Sequence, residues 1–265
     1  MDPTDCRAWL FDLDGVLTRT ADLHVAAWRS VFDAFLSAGT SRAPGTPSSG
    51  FDPVDDYLRY VDGRPRADGV RTFLASRGIT LPEGEADDAP TVRSVMGIAN
   101  AKNRLLHELL DTGRVAVYDG AVELVHLLRA RGVPTAVVSA SENTPAVLRA
   151  AGIVGLFDAC VDGTVVRERH LAGKPAPDSY LEAAALLGVE PALAAVVEDA
   201  QAGVEAGRSG HFGLVVGVDH TGQADALRSH GADLVIGDLA ELLPGFLVPG
   251  PGTVPPTHEP GSGAP

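Results

Sequence analysis

Two carboxylates one residue apart follow the first apolar run of the chain: Ala8 to Phe11 leads into Asp12-Leu13-Asp14-Gly15-Val16. Such a pair can hold a divalent cation and divide the work of nucleophile and general acid/base. A strand-end turn has the same composition, with an aspartate capping the next helix and Gly15 at positive φ. Three later segments bear on the choice. Val138-Ser139-Ala140-Ser141 offers a hydroxyl and backbone amides at a helix start, suited to a phosphate oxygen, although helix capping accounts for the same serines. Gly173-Lys174-Pro175-Ala176-Pro177-Asp178 sets one lysine on a loop stiffened by two prolines. An isolated lysine is ordinarily a solvated surface group, but on a rigid loop it becomes a fixed point charge for phosphate. Val196-Val197-Glu198-Asp199 ends another apolar run with a second acidic pair, and Ala202-Gly203 follows at a helix start. Four acidic groups at two strand ends suit a hard cation of the Mg²⁺ type.

These residues need a scaffold that delivers strand ends to one crevice. Apolar runs at Ala8 to Phe11, Thr135 to Val138, Ala195 to Val197, Leu214 to Val218 and Leu234 to Ile236 read as buried parallel strands. Helical periodicity separates them, with one helix through Val122, Val125, Leu127 and Leu128 stopping near Gly132 and another from Tyr180 to Leu187 stopping at Gly188. Alternating strands and helices predict an α/β fold with right-handed crossovers, and ligands of such sheets lie beyond the carboxyl ends of the strands. The interval between the first two strands is too long for one crossover helix and implies an inserted unit. Helical patterns at His24 to Leu36, Val70 to Arg77 and Ala99 to Leu110 make that unit a helical cap, with loops at Ser37 to Ser49 and Glu83 to Pro90. The expected organisation is a core of residues 1–19 and 115–243, a cap of residues 20–114, and a disordered tail over 244–265, where seven Pro and five Gly fall in 22 residues.

Composition limits the function classes. In 265 residues, 45% are hydrophobic and 21% charged, an ordinary globular balance. Lys and Arg total 21 against 35 Asp and Glu, a net charge of −14 that repels phosphate backbones and anionic lipid. Neither a nucleic acid nor a membrane partner is expected. Two cysteines, Cys6 and Cys160, make no disulfide framework or zinc site. Residues Met1 to Trp9 contain no apolar run of signal-peptide length, and a cytoplasmic monomer is expected.

Taken together and in this order, the four motifs resemble those of the haloacid dehalogenase superfamily of phosphotransferases, over Ala8 to about Leu243. The resemblance implies a Rossmann-like, doubly wound core with a mobile cap. It implies Asp12 as the nucleophile that becomes an aspartyl phosphate, Asp14 as general acid/base, and Ser139 and Lys174 as holders of the phosphoryl group. It also implies that Mg²⁺ is held by Asp12, the backbone carbonyl of Asp14, Glu198 and Asp199. A catalytically silent relative would lack at least one of these groups, and all are present.

Asp12 to Trp28 reads DLDGVLTRTADLHVAAW and is closely similar to the β-phosphoglucomutase-like family within that superfamily. Thr20 and His24 match its cap hinge, and His24 and Trp28, four apart, share a helix face; packing of cap on core accounts for the same pair. Gly63-Arg64-Pro65-Arg66 matches a cap loop whose arginine, here Arg66, grips the distal phosphate of a bisphosphate. Ala101-Lys102-Asn103 matches a second cap site, with Lys102 and Asn103 toward the sugar. Ser139-Ala140-Ser141-Glu142-Asn143 matches a substrate loop that brings Ala140, Ser141 and Asn143 to the same ligand, with Glu142 in place of a lysine. Arg19, Asp119 and Ala200 also depart from the family's usual residues. The resemblance implies interconversion of β-D-glucose 1-phosphate and β-D-glucose 6-phosphate, with a phosphorylated sugar as the partner molecule; a Mg²⁺-dependent sugar-phosphate phosphatase on the same scaffold is the alternative. The charge divides accordingly. Residues 20–114 carry 11 basic and 13 acidic side chains, which leaves 10 and 22 elsewhere, so the acidity lies in the part that would hold the cation.

Overall fold

The apolar runs assemble into a six-stranded parallel sheet in the computed structural model, which describes residues 1–39, 50–110 and 115–247. Its strands are β1 (Ala8–Phe11), β2 (Thr135–Val138), β3 (Ala159–Val161), β4 (Ala194–Glu198), β5 (Leu214–Val218) and β6 (Leu234–Ile236), in the order β3-β2-β1-β4-β5-β6. The helices between them are α1 (Ala21–Ser37), α2 (Arg66–Ser76), α3 (Val95–Leu110), α4 (Asp119–Ala130), α5 (Thr144–Ala151), α6 (Gly163–Glu168), α7 (Asp178–Leu186), α8 (Gln201–Ser209), α9 (Ala224–His230) and α10 (Leu243–Leu247). From β1 the chain winds outward through β2 and β3, then crosses back to β4 and winds the other way. This is the doubly wound topology expected, and its switch point lies between β1 and β4.

Both sheet faces are covered, which is why the strands read as unbroken apolar runs rather than alternating ones. Along β1, Trp9 and Phe11 pack into a layer with α4, α5 and α10, while Ala8 and Leu10 pack into the opposite layer with α7, α8 and α9. Residues 244–247, expected as the start of the tail, are helical instead. Pro244 sits in the first turn of α10, where its missing N–H costs nothing, and Phe246 is buried edge-on against Trp9 at 5.8 Å. The rest of that segment, with the 40–49 stretch of the expected Ser37 to Ser49 loop, lies outside the described residues. β3 is a strand the periodicity did not predict. It has three residues at the sheet edge, with only Val161 fully enclosed, too short to show a pattern.

Between β1 and α4 the chain builds its own apolar centre from α1, α2 and α3 and a five-residue π-helix over Tyr57–Val61. On α1, Trp28, Phe32 and Leu36 recur every four residues and form the buried stripe. Phe32 is the hub, stacked on Phe73 of α2 at 3.9 Å, on Trp28 at 5.0 Å and on Phe51 at 5.4 Å. Truncating Phe73 removes a fully buried ring from this stack. Phe73→Ala is expected to lose about 3–5 kcal/mol of stability, measured by urea denaturation, and a loss under about 1 kcal/mol would contradict this packing.

Candidate active site

Parallel register brings the acidic motifs together. Phe11 of β1 pairs with Val197 of β4, and the Asp12 amide donates to the Val197 carbonyl at 2.9 Å, so Asp12 leaves its strand beside Glu198 and Asp199. Carboxylate oxygens of Asp12, Glu198 and Asp199 lie within 4.8 Å of one another, a set that could hold a metal ion. Close backbone contact makes room for them. Gly15, at φ +87°, passes so near Asp199 that a Cβ there would overlap its carboxylate, and a Cβ on Gly203 of α8 would overlap that of Glu198.

Lys174 is inserted behind this cluster. Its ammonium is almost fully buried, donates to Asp12 Oδ1 and lies 2.5 Å from Glu198 Oε1, while the Tyr180 hydroxyl donates to the same Glu198 oxygen at 2.6 Å. Burial works against the Lys174 charge, but the two carboxylates outweigh it and hold the ammonium above its ordinary value. Asp12 and Asp199 are pushed the other way. Burial raises both carboxyls well above their usual range; for Asp199 the Asp62 charge adds most, and for Asp12 the Glu198 charge adds while Lys174 opposes. One lysine cannot balance so many enclosed carboxylates, and a divalent cation among them is the counter-charge that the donor set fits.

Asp14 turns away from the cluster toward the helical unit. Its Oδ1 accepts from the Thr20 hydroxyl and lies 3.6 Å from His24 Nε2. His24 Nδ1 is 3.1 Å from Lys102 Nζ, and the same ammonium lies 5.2 Å over the Trp28 ring. Burial, then the Lys102 charge, lowers His24 to about 4, so the ring is neutral. A neutral imidazole with its Nδ1 lone pair facing an ammonium carries its proton on Nε2, aimed at Asp14. Burial also lowers Lys102 to about 7.

At the other end of the cavity, Asn103 Oδ1 accepts from Arg66 Nη1 at 2.9 Å and from Asn143 Nδ2 at 2.8 Å, joining α3, α2 and the loop after β2. The cavity is lined by Asp12, Asp14, His24, Trp28, Gly63, Arg66, Lys102, Ser139, Ala140, Ser141, Asn143 and Asp199 among others, so most of the expected site residues converge. Thr20, Asn103, Lys174 and Glu198 stand behind these as their partners. One expectation changes. The helix after Ser139 begins only at Thr144, the Ser139 amide is taken by Val161, and the Ser141 amide donates to Ser139 Oγ at 3.1 Å. What Ser139 presents is therefore its hydroxyl proton rather than a helix-start amide.

Four groups were not anticipated. Tyr57 and Asp62 line the cavity from the π-helix, and enclosure followed by Glu198 repulsion pushes Asp62 up to about 7. Asp62 stands immediately before the Gly63-Arg64-Pro65-Arg66 loop, which was its available signal. Tyr180 lies in the first turn of α7 and gives no sequence signal. His220, two residues past β5, contacts the Gly15 carbonyl at 2.9 Å through Nε2 and stacks on Tyr118 at 4.4 Å. The rule that strand ends face the crevice, applied to β5, points to it.

Residues 6–211 match the family model of haloacid dehalogenase-like hydrolases. The chain is 52% identical over 244 residues to a β-phosphoglucomutase of Mycobacterium tuberculosis, covering 91% of this chain and 93% of that protein. A β-phosphoglucomutase of Bacillus subtilis is 31% identical over 240 residues, with coverage of 89% and 91%. The solved structure of a β-phosphoglucomutase from Clostridium difficile is similar at a TM-score of 0.69 and 26% identity, covering 89% of this chain and 93% of that one.

The Lys102 environment sets a pH dependence. The native state releases this proton near pH 7, whereas the unfolded chain holds it to the ordinary 10.5, so the unfolded state binds more protons in between and stability rises with pH across that window. Thermal melts of wild type and Lys102→Met through that window are expected to show the rise in the wild type and its loss in the variant. An equal slope in both would refute the depressed value.

Proposed function

The chain belongs to the haloacid dehalogenase-like hydrolases and, within them, to the β-phosphoglucomutase-like family; on that premise we propose that it interconverts β-D-glucose 1-phosphate and β-D-glucose 6-phosphate through an aspartyl-phosphate enzyme and β-glucose 1,6-bisphosphate. The observation that carries this reading is a cavity with two anion stations. Asp12, Ser139 and Lys174 gather at one end, and Arg66, fixed by Asn103, stands at the other. A monophosphate hydrolase needs one such station, whereas a mutase must hold a second phosphate while the sugar turns around.

The steps use this chain's own groups. In the forward half-reaction the phosphorylated Asp12 gives its phosphoryl group to a sugar hydroxyl; the bond to the Asp12 oxygen breaks, a bond to the sugar oxygen forms, and Asp14 takes the hydroxyl proton. The bisphosphate reorients with its distal phosphate on Arg66. Asp12 then attacks the other phosphorus, and Asp14 returns its proton to the departing sugar oxygen. Lys174 offsets the charge that gathers as a carboxylate approaches three phosphoryl oxygens, and the Ser139 hydroxyl donates to one of them. Mg²⁺ held by Asp12, Glu198, Asp199 and the Asp14 carbonyl would supply the remaining positive charge. Thr20 and His24 tie the Asp14 carboxylate to the helical unit, so the acid/base group is set when that unit is seated on the sheet. Its seating also keeps water from the phosphoenzyme. The enclosed space is about 60 Å³, against the roughly 300 Å³ or more of ordinary ligand sites, so a sugar phosphate enters only when the helical unit moves away.

A coupled assay of β-glucose 1-phosphate with Mg²⁺, a trace of bisphosphate and glucose-6-phosphate dehydrogenase is expected to report turnover. Asp12→Asn, which removes the nucleophile, is expected to abolish it, by at least about 10⁴-fold. No turnover by the wild type, alongside rapid phosphate release from sugar monophosphates, would establish the phosphatase instead. Arg66→Ala separates the two readings a second way. It is expected to cut bisphosphate use about 100-fold while leaving hydrolysis of a small monophosphate within a fewfold, since a charged bidentate contact is worth about 1.5–3 kcal/mol; equal losses would argue against a distal phosphate site.

A further inference from the structure

Arg66 stands between two cavities. One is the catalytic cavity, and the other is a groove of about 400 Å³ on its far side, lined by Pro65, Arg66, Glu142, Gly163, Arg167 and His170 among others. Glu142, in the loop after β2, reaches both arginines from the groove. Its Oε1 pairs with Arg167, and its Oε2 lies 3.4 Å from Arg66 Nη2, long for a charge-assisted hydrogen bond. The other donors of Arg66 differ sharply. Nη1 is committed to Asn103 at 2.9 Å, and Nε is buried with no partner. A half-buried guanidinium with an unpartnered Nε next to a weakly engaged Nη2 has one uncommitted bidentate edge, the shape that fits two phosphate oxygens.

A carboxylate this close to that edge is a competitor for it and repels any phosphate that arrives. Arg167 opposes both effects. It pairs with Glu142 Oε1 and supplies a balancing charge, and the backbone that carries it is fixed from below. Asp162 Oδ1 caps α6 by accepting from the Thr164 and Val165 amides at 2.9 Å each. The Gly163 amide donates to the Ser141 carbonyl at 3.1 Å, and a Cβ on Gly163 would overlap the Glu142 amide. The start of α6 is thus locked onto the loop that carries Glu142.

Resting on the mutase reading, we propose that Arg167 is a specificity-determining positioning residue: it holds the Glu142 carboxylate off Arg66, so that the open edge of Arg66 is left to the distal phosphate of a sugar bisphosphate. Arg167 touches neither the reacting atoms nor the transferred phosphoryl group. Its effect is confined to ligands that carry a second phosphate.

The test compares a substrate with a distal phosphate and one without. For Arg167→Ala the KM for β-glucose 1,6-bisphosphate in the coupled assay is expected to rise about tenfold, because a freed like charge now faces the phosphate, while hydrolysis of acetyl phosphate stays within about twofold. Adding Glu142→Gln removes that charge and is expected to return the KM to within about threefold of wild type, and Arg167→Lys alone is expected to keep most of the wild-type value. The Arg167 side chain is 62% exposed, so its truncation leaves the fold intact. A wild type that turns over β-glucose 1-phosphate while Arg167→Ala leaves the bisphosphate KM unchanged, changes both substrates alike, or is not rescued by Glu142→Gln overturns this proposal alone. A wild type with no such turnover overturns the mutase reading and this proposal with it.

Discussion

A single buried ammonium holds the site together. Lys174 carries the only cationic head within reach of Asp12 and Glu198 among the described ion pairs, and it comes from a loop 162 positions from Asp12 in sequence. Removing one partner from such an enclosed set leaves uncompensated charge, a cost of about 3–5 kcal/mol in buried ion pairs. The surrounding architecture makes the arrangement possible. β1 and β4 run side by side so that both acidic motifs emerge at one level, Gly203 leaves space for the Glu198 carboxylate, Tyr180 donates to the Glu198 oxygen that Lys174 meets, and the Ala200 amide donates to the other at 3.3 Å. The lysine still falls short of neutralising the carboxylates around it, and that shortfall is the charge a divalent cation would offset.

A second constraint links the sheet to the helical unit above it. Asp14 has its backbone at the end of β1, yet its carboxylate is engaged by Thr20 and His24, and His24 in turn meets Lys102 of α3. These contacts exist only while the helices sit on the sheet. The aromatic stack around Phe32 keeps α1, α2 and α3 in fixed relation, so His24, Arg66 and Lys102 are held as one set. The seated unit does several things at once: it sets His24 beside Asp14, stands Arg66 at the far end of the cavity, and leaves little space for water. Stability of the helical unit and orientation of its polar groups have the same physical origin.

Much of this was legible in the residues alone, for identifiable reasons. Strands β1, β2, β5 and β6 coincide with the apolar runs because both sheet faces are covered, which turns burial into a continuous signal. β3 escaped because an edge strand of three residues carries too little of it. The three inserted helices were recognised by their apolar stripes, but each starts three or four residues earlier than the stripe, in first turns such as Ala21 to Leu23 and Arg66 to Gly69 that mix small, polar and isolated apolar residues without a continuous buried stripe. α10 was missed because proline and glycine dominate its surroundings, while one phenylalanine, Phe246, reaches Trp9 and anchors the turn. Asp12, Asp14, Ser139, Lys174, Glu198 and Asp199 were identified because their chemistry is unusual at strand ends. Tyr180 and His220 were not, since a tyrosine on a helix or a histidine in a loop is ordinary until its partner is known.

The residues by themselves determined which reactive groups the chain carries, the sheet that must gather them, and the excess of acid over base in the part that holds them. They do so because side-chain chemistry and hydrophobic periodicity are local properties. What only the tertiary structure decided is which charge faces which. Lys174 meets Asp12 across 162 positions of chain, and Arg66 meets Glu142 across 76. Burial, not residue type, lowers Lys102 to about 7 and raises Asp62 to the same value. Those pairings and shifts depend on distance and on exclusion of water, and both arise only when distant segments are packed together.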